Sequence, residues 1–166
     1  MVNKEGISID AFKKGMRELV AAVNVITVEK SGVRDGLTAT ATCSVSAEPP
    51  QLLICVNTEA GGHKLIQGSG KFALNILDRN QENIATRFAG MDGADRSQRF
   101  ALGSWSTITT GAPCLDEALV NFDCEVTQQI AAETHSIFIG LIVGCRINEN
   151  GGSPLLYSGG QFTSLA

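Results

Sequence analysis

The chain has 166 residues, 43% of them hydrophobic and 18% charged, with 18 glycines and four prolines. That is enough for one domain with a real core and too little for two ordinary ones, and the balance is far from a disordered composition. A formal charge of −4 with no basic block argues against nucleic acid as a partner, and no apolar run reaches the length of a membrane span.

The opening residues, MVNKEGISID, lack the apolar stretch of a signal peptide, so a cytoplasmic protein is expected. Asp10 reads as a helix N-cap, and Phe12, Met16, Leu19, Val20 and Val23 follow at helical spacing. This predicts an amphipathic helix over residues 10–21. The β-branched run over 23–28 predicts a strand, and the turn residues Ser31, Gly32, Asp35 and Gly36 lead into the next one.

Residues 37–46 are expected to form a single strand. Leu37, Ala39, Ala41, Cys43 and Val45 alternate with Thr38, Thr40, Thr42, Ser44 and Ser46, which places five hydroxyls and no charge on one face. Two readings suit that row: a surface meeting a polar ligand, or a Thr-rich solvent face chosen for strand propensity. Glu48-Pro49-Pro50 should end the strand, since proline donates nothing to a ladder.

Further along, 51–57 reads as a buried strand, and Leu65-Ile66 as part of a short helix closed by Gly68 and Gly70. Residues 72–77 read as a strand, 81–89 as a helix and 90–104 as a polar loop; strands are predicted at 119–129, 135–147 and 155–157. Many strands with a few short helices and no βαβ alternation predict a single domain over residues 1–166, mainly β, built as an antiparallel barrel.

The chemistry-bearing residues are sparse. Five cysteines are scattered without a C-x-x-C pair, which suits reduced thiols in a reducing compartment, and four of them lie in segments where a thiol serves as a small core group. The two histidines, His63 and His135, lie in different segments and match no ligand spacing, so no metal is expected. No serine-nucleophile elbow, P-loop or dinucleotide fingerprint is present. Gly61-Gly62-His63-Lys64 offers backbone N–H groups and a positive charge at a helix start. It suits either a phosphate or a plain helix-opening turn.

Taken in order, these segments resemble the flavin reductase-like family, the small reductase components of two-component flavin monooxygenases and their relatives. The resemblance rests on Ala22-Val23-Asn24-Val25-Ile26-Thr27, on Gly36-Leu37-Thr38-Ala39-Thr40-Ala41 with Cys43-Ser44-Val45-Ser46-Ala47-Glu48-Pro49-Pro50, and on Phe72-Ala73-Leu74-Asn75-Ile76-Leu77. Phe88-Ala89-Gly90, Arg99-Phe100, Trp105 and Thr134-His135 continue it. The stretch from Pro113 to Cys124 looks most like a subgroup that includes reductases of pyrimidine catabolism and a corrin reductase.

The resemblance implies a mainly β, antiparallel Greek-key split β-barrel of the FMN-binding type, working as a homodimer. It implies FMN or FAD as the flavin, NADH or NADPH as hydride donor, and a monooxygenase or other acceptor as partner. Thr38, Ala39, Thr40, Ala41 and Thr42, with Ser44, Val45 and Ser46, would line the flavin ring and its ribityl chain. Asn57 and Thr58, followed by His63 and Lys64, would sit by the phosphate, and Phe88 and Ala89 would contact the flavin from a helix end. His135 would face the nicotinamide, although Glu133-Thr134 precedes it where the family has Gly-Asp. Tyr157 would flank the same ring. The readings left beside it are a flavin-binding module without activity and a reductase of a bound corrin.

Overall fold

The computed structural model describes residues 6–165. The start of the leader reading, residues 1–5, and the last residue of the expected domain lie outside the described residues.

Helix α1 (Ile9–Met16) starts one turn before Phe12, because the Ser8 hydroxyl, not Asp10, accepts the capping hydrogen bond from the Ala11 N–H at 3.2 Å. It is shorter than the predicted 10–21, and Gly15 weakens its last turn. None of its residues is buried, so the apolar stripe is not seated on a core. Val23, which continues the helical spacing and also opens the β-branched run, lies beyond the helix and is fully buried.

The elements then follow as β1 (Ala21–Ala22), β2 (Asn24–Lys30), β3 (Val33–Ala39), β4 (Thr42–Ala47), β5 (Pro50–Asn57), α2 (Gly61–Ser69), β6 (Lys71–Ile76) and α3 (Glu82–Ala89). A 3-10 turn, Arg96–Ala101, breaks the predicted polar loop. After it come β7 (Trp105–Ser106), β8 (Cys114–Leu115), β9 (Val120–Ala132), β10 (His135–Ile147), β11 (Leu155–Ser158) and β12 (Gln161–Ser164).

The expected single strand over 37–46 is two strands. β3 and β4 occupy opposite edges of a seven-stranded sheet ordered β3-β2-β6-β9-β10-β5-β4, and all its pairings are antiparallel. Only Thr40 and Ala41 join them. A flat sheet would hold its edges some six strand spacings apart, about 28 Å at 4.7 Å each, so a two-residue link requires the sheet to curl until its edges meet. Asn24, 2% exposed, ties the meeting point: its Nδ2 donates to the Ala39 carbonyl at 3.3 Å and to Thr42 Oγ1 at 3.3 Å. This is the split-barrel arrangement.

The two larger buried clusters lie on opposite faces of the curled sheet. Ile26, Val28, Leu52, Ile54, Val56, Phe72, Leu74 and Phe138 pack inside with Ile66 of α2. Val23, Val25, Leu77, Ile84, Ala85, Phe88 and Leu115 form the second, with Phe100 and Trp105 at its margin. β2 therefore buries both faces, which explains its continuous apolar run. Within the second layer the buried Asn75 donates to the Val25 carbonyl at 2.8 Å and accepts from the Leu115 N–H at 2.8 Å, so this motif asparagine fastens β8 to the sheet.

Candidate functional site

The step between β3 and β4 is where chemistry gathers. An open cleft of about 210 Å³ is lined by Val23, Thr38, Ala39, Thr40, Ala89, Met91, Tyr157 and Phe162. Three separate parts of the chain build it. The β3 end supplies hydroxyls, the C-terminal end of α3 supplies Ala89, and the β11–β12 hairpin supplies an aromatic wall. Tyr157 and Phe162 are register partners whose rings meet edge to face at 5.5 Å.

No lining group carries a charge, so the cleft suits a flat, polar, neutral ring. Thr38 donates its hydroxyl to the Ala85 carbonyl at 2.6 Å, which holds β3 to α3. The Thr40 hydroxyl makes no hydrogen bond to another described residue and is exposed, leaving it available to a ligand. The cleft is small for a whole nucleotide, for which roughly 300–1,000 Å³ is usual. A second cleft of about 390 Å³ adjoins it, and both are lined by Thr40 and Tyr157.

The far side of the step leads to the histidine predicted to matter. The Ala41 carbonyl accepts from the Cys55 N–H at 3.0 Å. Two residues further along β5, roughly 7 Å at the usual strand rise, Asn57 pairs in register with the exposed His135. Thr134 organises this end: its carbonyl accepts from the Thr58 N–H at 3.0 Å and from the Thr58 hydroxyl at 3.2 Å, and its own hydroxyl lies 2.9 Å from His135 Nδ1. Asn57 Oδ1 accepts from the Glu59 N–H at 2.8 Å and so shapes the turn into α2. Lys64 is exposed on α2 and forms no ion pair within the described residues.

Several of the residues expected to meet the flavin lie outside this cleft. Thr42, Ser44 and Ser46 line a different cleft, of about 290 Å³, over an apolar floor that includes Leu52, Leu74 and Phe122. The hydroxyl row is thus divided by the step, and the bulge between Ser44 and Ser46 turns Val45 out to 44% exposure. His63 points inward, 6% exposed, with Nε2 2.8 Å from Ser136 Oγ and its ring edge-on to Phe138. Phe88, 1% exposed, packs between Phe100 and Trp105. Neither side chain lines the cleft; Ala89 does so in place of Phe88.

Sequence reasoning missed Met91 and Phe162 in the cleft wall. Gly159-Gly160 was the available signal for a hairpin that returns Phe162 against Tyr157. It also missed Arg96. Its guanidinium lies where a Cβ on Gly61 would stand and ion-pairs with Asp35, which in turn accepts from Arg99 at 2.7 Å. The start of α2 is therefore already covered by a paired cation, and a side chain at position 61 would displace the Arg96 guanidinium.

A family description, flavin reductase like domain, matches residues 16–166. The FMN reductase (NADH) RutF of Agrobacterium fabrum is 39% identical over 154 residues, 93% of this chain and 87% of that protein. The solved structure of the flavin reductase PheA2 superposes with a TM-score of 0.87 at 31% identity, covering 96% of this chain and 99% of that one. BorF, the flavin reductase component of a bacterial two-component tryptophan halogenase, does so with a TM-score of 0.86 at 28% identity, covering 95% and 98%.

Proposed function

Because the chain belongs to the flavin reductase-like family, we propose that it is an NADH-dependent FMN reductase whose ring site is the uncharged cleft at the step between β3 and β4. One observation carries the placement. Thr38, Ala39 and Thr40 meet Ala89 and Tyr157, from two distant parts of the chain, in that cleft.

When bound, flavin supplies the two-electron chemistry by taking up the hydride that a reduced nicotinamide gives. The chain's own groups bind and orient. Thr40 offers an unengaged hydroxyl to ring heteroatoms, and Tyr157 with Phe162 gives a face against which a planar ring rests. Asn57, Thr58 and the exposed Lys64 stand on the side of the step where the flavin phosphate would end. His135 reaches the nicotinamide as a hydrogen-bonding group. A base is not required of it, since hydride transfer needs no protein nucleophile.

The reduced flavin passes to an acceptor enzyme, a reading supported by the halogenase system to which BorF belongs. A homodimer is supported by exposed apolar side chains on separate elements, among them Val45 on β4 and Ile130 on β9. A cytoplasmic site is supported by the five cysteines, all free thiols. Among the described residues no helix is long and apolar enough to cross a membrane.

The test is direct. Protein mixed with FMN and NADH should consume nicotinamide absorbance at 340 nm well above the free-flavin background. Flavin binding without such consumption would leave a binding module and overturn the enzyme reading.

A further inference from the structure

The second cleft has walls for which the ring site has no use. Phe12, Met16 and Leu19 line it at 55%, 48% and 59% exposure, an apolar surface with nothing packed on it among the described residues. Its charged lining residues are both cations, Lys13 and Arg17, four residues apart and so on one face at the end of α1. Neither forms an ion pair within the described residues.

Arg17 is also held in place. Its carbonyl accepts from the Gly159 N–H at 2.9 Å, and its Nε runs 3.8 Å from where a Cβ on Gly160 would stand. The guanidinium stem thus lies against the turn of the hairpin whose Tyr157 walls the ring cleft. Two unpaired cations beside an apolar shelf, next to a site for a flat ring, match an anionic ligand with two planar ends.

We propose that Lys13 and Arg17 bind the diphosphate of the dinucleotide hydride donor, with its adenosine on the Phe12–Met16–Leu19 shelf and its nicotinamide directed toward the ring cleft. The assignment rests on reading that cleft as the ring site. It leaves the flavin phosphate to the Asn57–Lys64 side, so the two anions occupy opposite ends.

The experiment compares wild type with Lys13→Gln, Arg17→Gln and the double variant, using calorimetric binding of NAD⁺ and fluorescence titration with FMN and riboflavin. Each single change should weaken NAD⁺ about tenfold, as loss of one charge-assisted contact does. It should raise KM for NADH more than it lowers kcat and leave FMN affinity within about twofold. Arg17→Lys should recover most of the loss. A role in favouring the helix end alone would move the thermal midpoint and not NAD⁺ binding.

Unchanged NAD⁺ affinity in the double variant overturns the proposal, as does a wild type that binds no NAD⁺. Loss of FMN affinity with riboflavin and NAD⁺ unaffected would give the cleft to the flavin's own phosphate and overturn it equally. A wild type that binds NAD⁺ and loses that binding in the double variant, yet reduces no FMN, would uphold the subsite while refuting the reductase reading.

Discussion

Burial pushes the Cys114 thiol up to about 12 and raises that of Cys124 as well, with the Asp123 carboxylate adding to both effects. Nucleophilicity belongs to the thiolate, so these two groups stay inert at any ordinary pH. Cys43 is exposed on β4. Iodoacetamide at pH 8, followed by peptide mass spectrometry, should modify Cys43 while Cys114 and Cys124 stay unlabelled until denaturant is added. Labelling of Cys114 at the rate of Cys43 would mean that the segment around β8 opens freely. His63 is a second residue whose position decides its role. The motif Gly61-Gly62-His63-Lys64 shows an imidazole at a helix start but not its direction, and a helix turns successive side chains by about 100°. The ring lands on Ser136 and Phe138. His63→Ala should therefore cost about 1–3 kcal/mol, as the loss of a buried hydrogen bond and of packing on Phe138 does, read as a lower urea midpoint. FMN affinity should change less than about twofold, and a collapse of flavin binding in a folded variant would restore the ligand role.

At the scale of elements, what the sequence displays is periodicity, and periodicity is local. The strands over 51–57 and 72–77 and the helix over 81–89 appear within one or two residues of their expected limits: β5 alternates and α3 repeats against one core each, and β6 is a short apolar run buried on both faces. The run over 37–46 alternates just as cleanly and still breaks. Thr40 and Ala41 continue the pattern while leaving the ladder, so a period of two cannot distinguish one strand from two that meet at a corner. Similarly, the stripe on α1 has helical spacing but no core to meet, since the opposing surface is a ligand-sized cleft. The long β9–β10 ribbon depends on a feature no pattern reveals. It pairs with β6 at one end and β5 at the other, with a register shift between Ile139 and Gly140. A Cβ on Gly140 would stand 2.7 Å from Phe72 Cζ and 2.9 Å from Cys124 Cβ, so the ring packs on bare backbone. Gly140→Ala should destabilise the fold by about 1–3 kcal/mol through overpacking, visible as a lowered thermal midpoint. An unchanged midpoint would show that Phe72 has room to move.

For the molecule as a whole, the cleft between Thr40 and Tyr157 exists because the sheet's two edges meet, and only the fold brings Ala89 and Tyr157 to residues 38–40. The motif at 36–50 marked the neighbourhood, but it did not divide the hydroxyls between two clefts, and it gave no sign of Met91 or Phe162. Asn24 is the residue through which closure and site depend on each other. It sits buried at the start of β2, and its Nδ2 also lies 3.1 Å from the Ala22 carbonyl, so the amide gathers chain from three directions. Its two hydrogens cannot satisfy all three acceptors at once, and the group shares them across the corner. Asn24→Ala removes the shared donor while Ala39 and Thr42 keep their backbone pairings in β3 and β4. The expected loss is about 1–3 kcal/mol of stability, as losing a buried donor that serves several part-buried acceptors costs. A looser corner lets Thr40 wander, so FMN affinity should fall in the same variant by about tenfold, the equivalent of 1.4 kcal/mol. Exposed Asn83→Ala on α3 is the control, expected to leave both quantities within about 0.5 kcal/mol of wild type. If Asn24→Ala lost stability and still bound FMN at full affinity, the flavin would not be resting on the corner, and the cleft between Thr40 and Tyr157 would have to yield the ring to another part of the barrel.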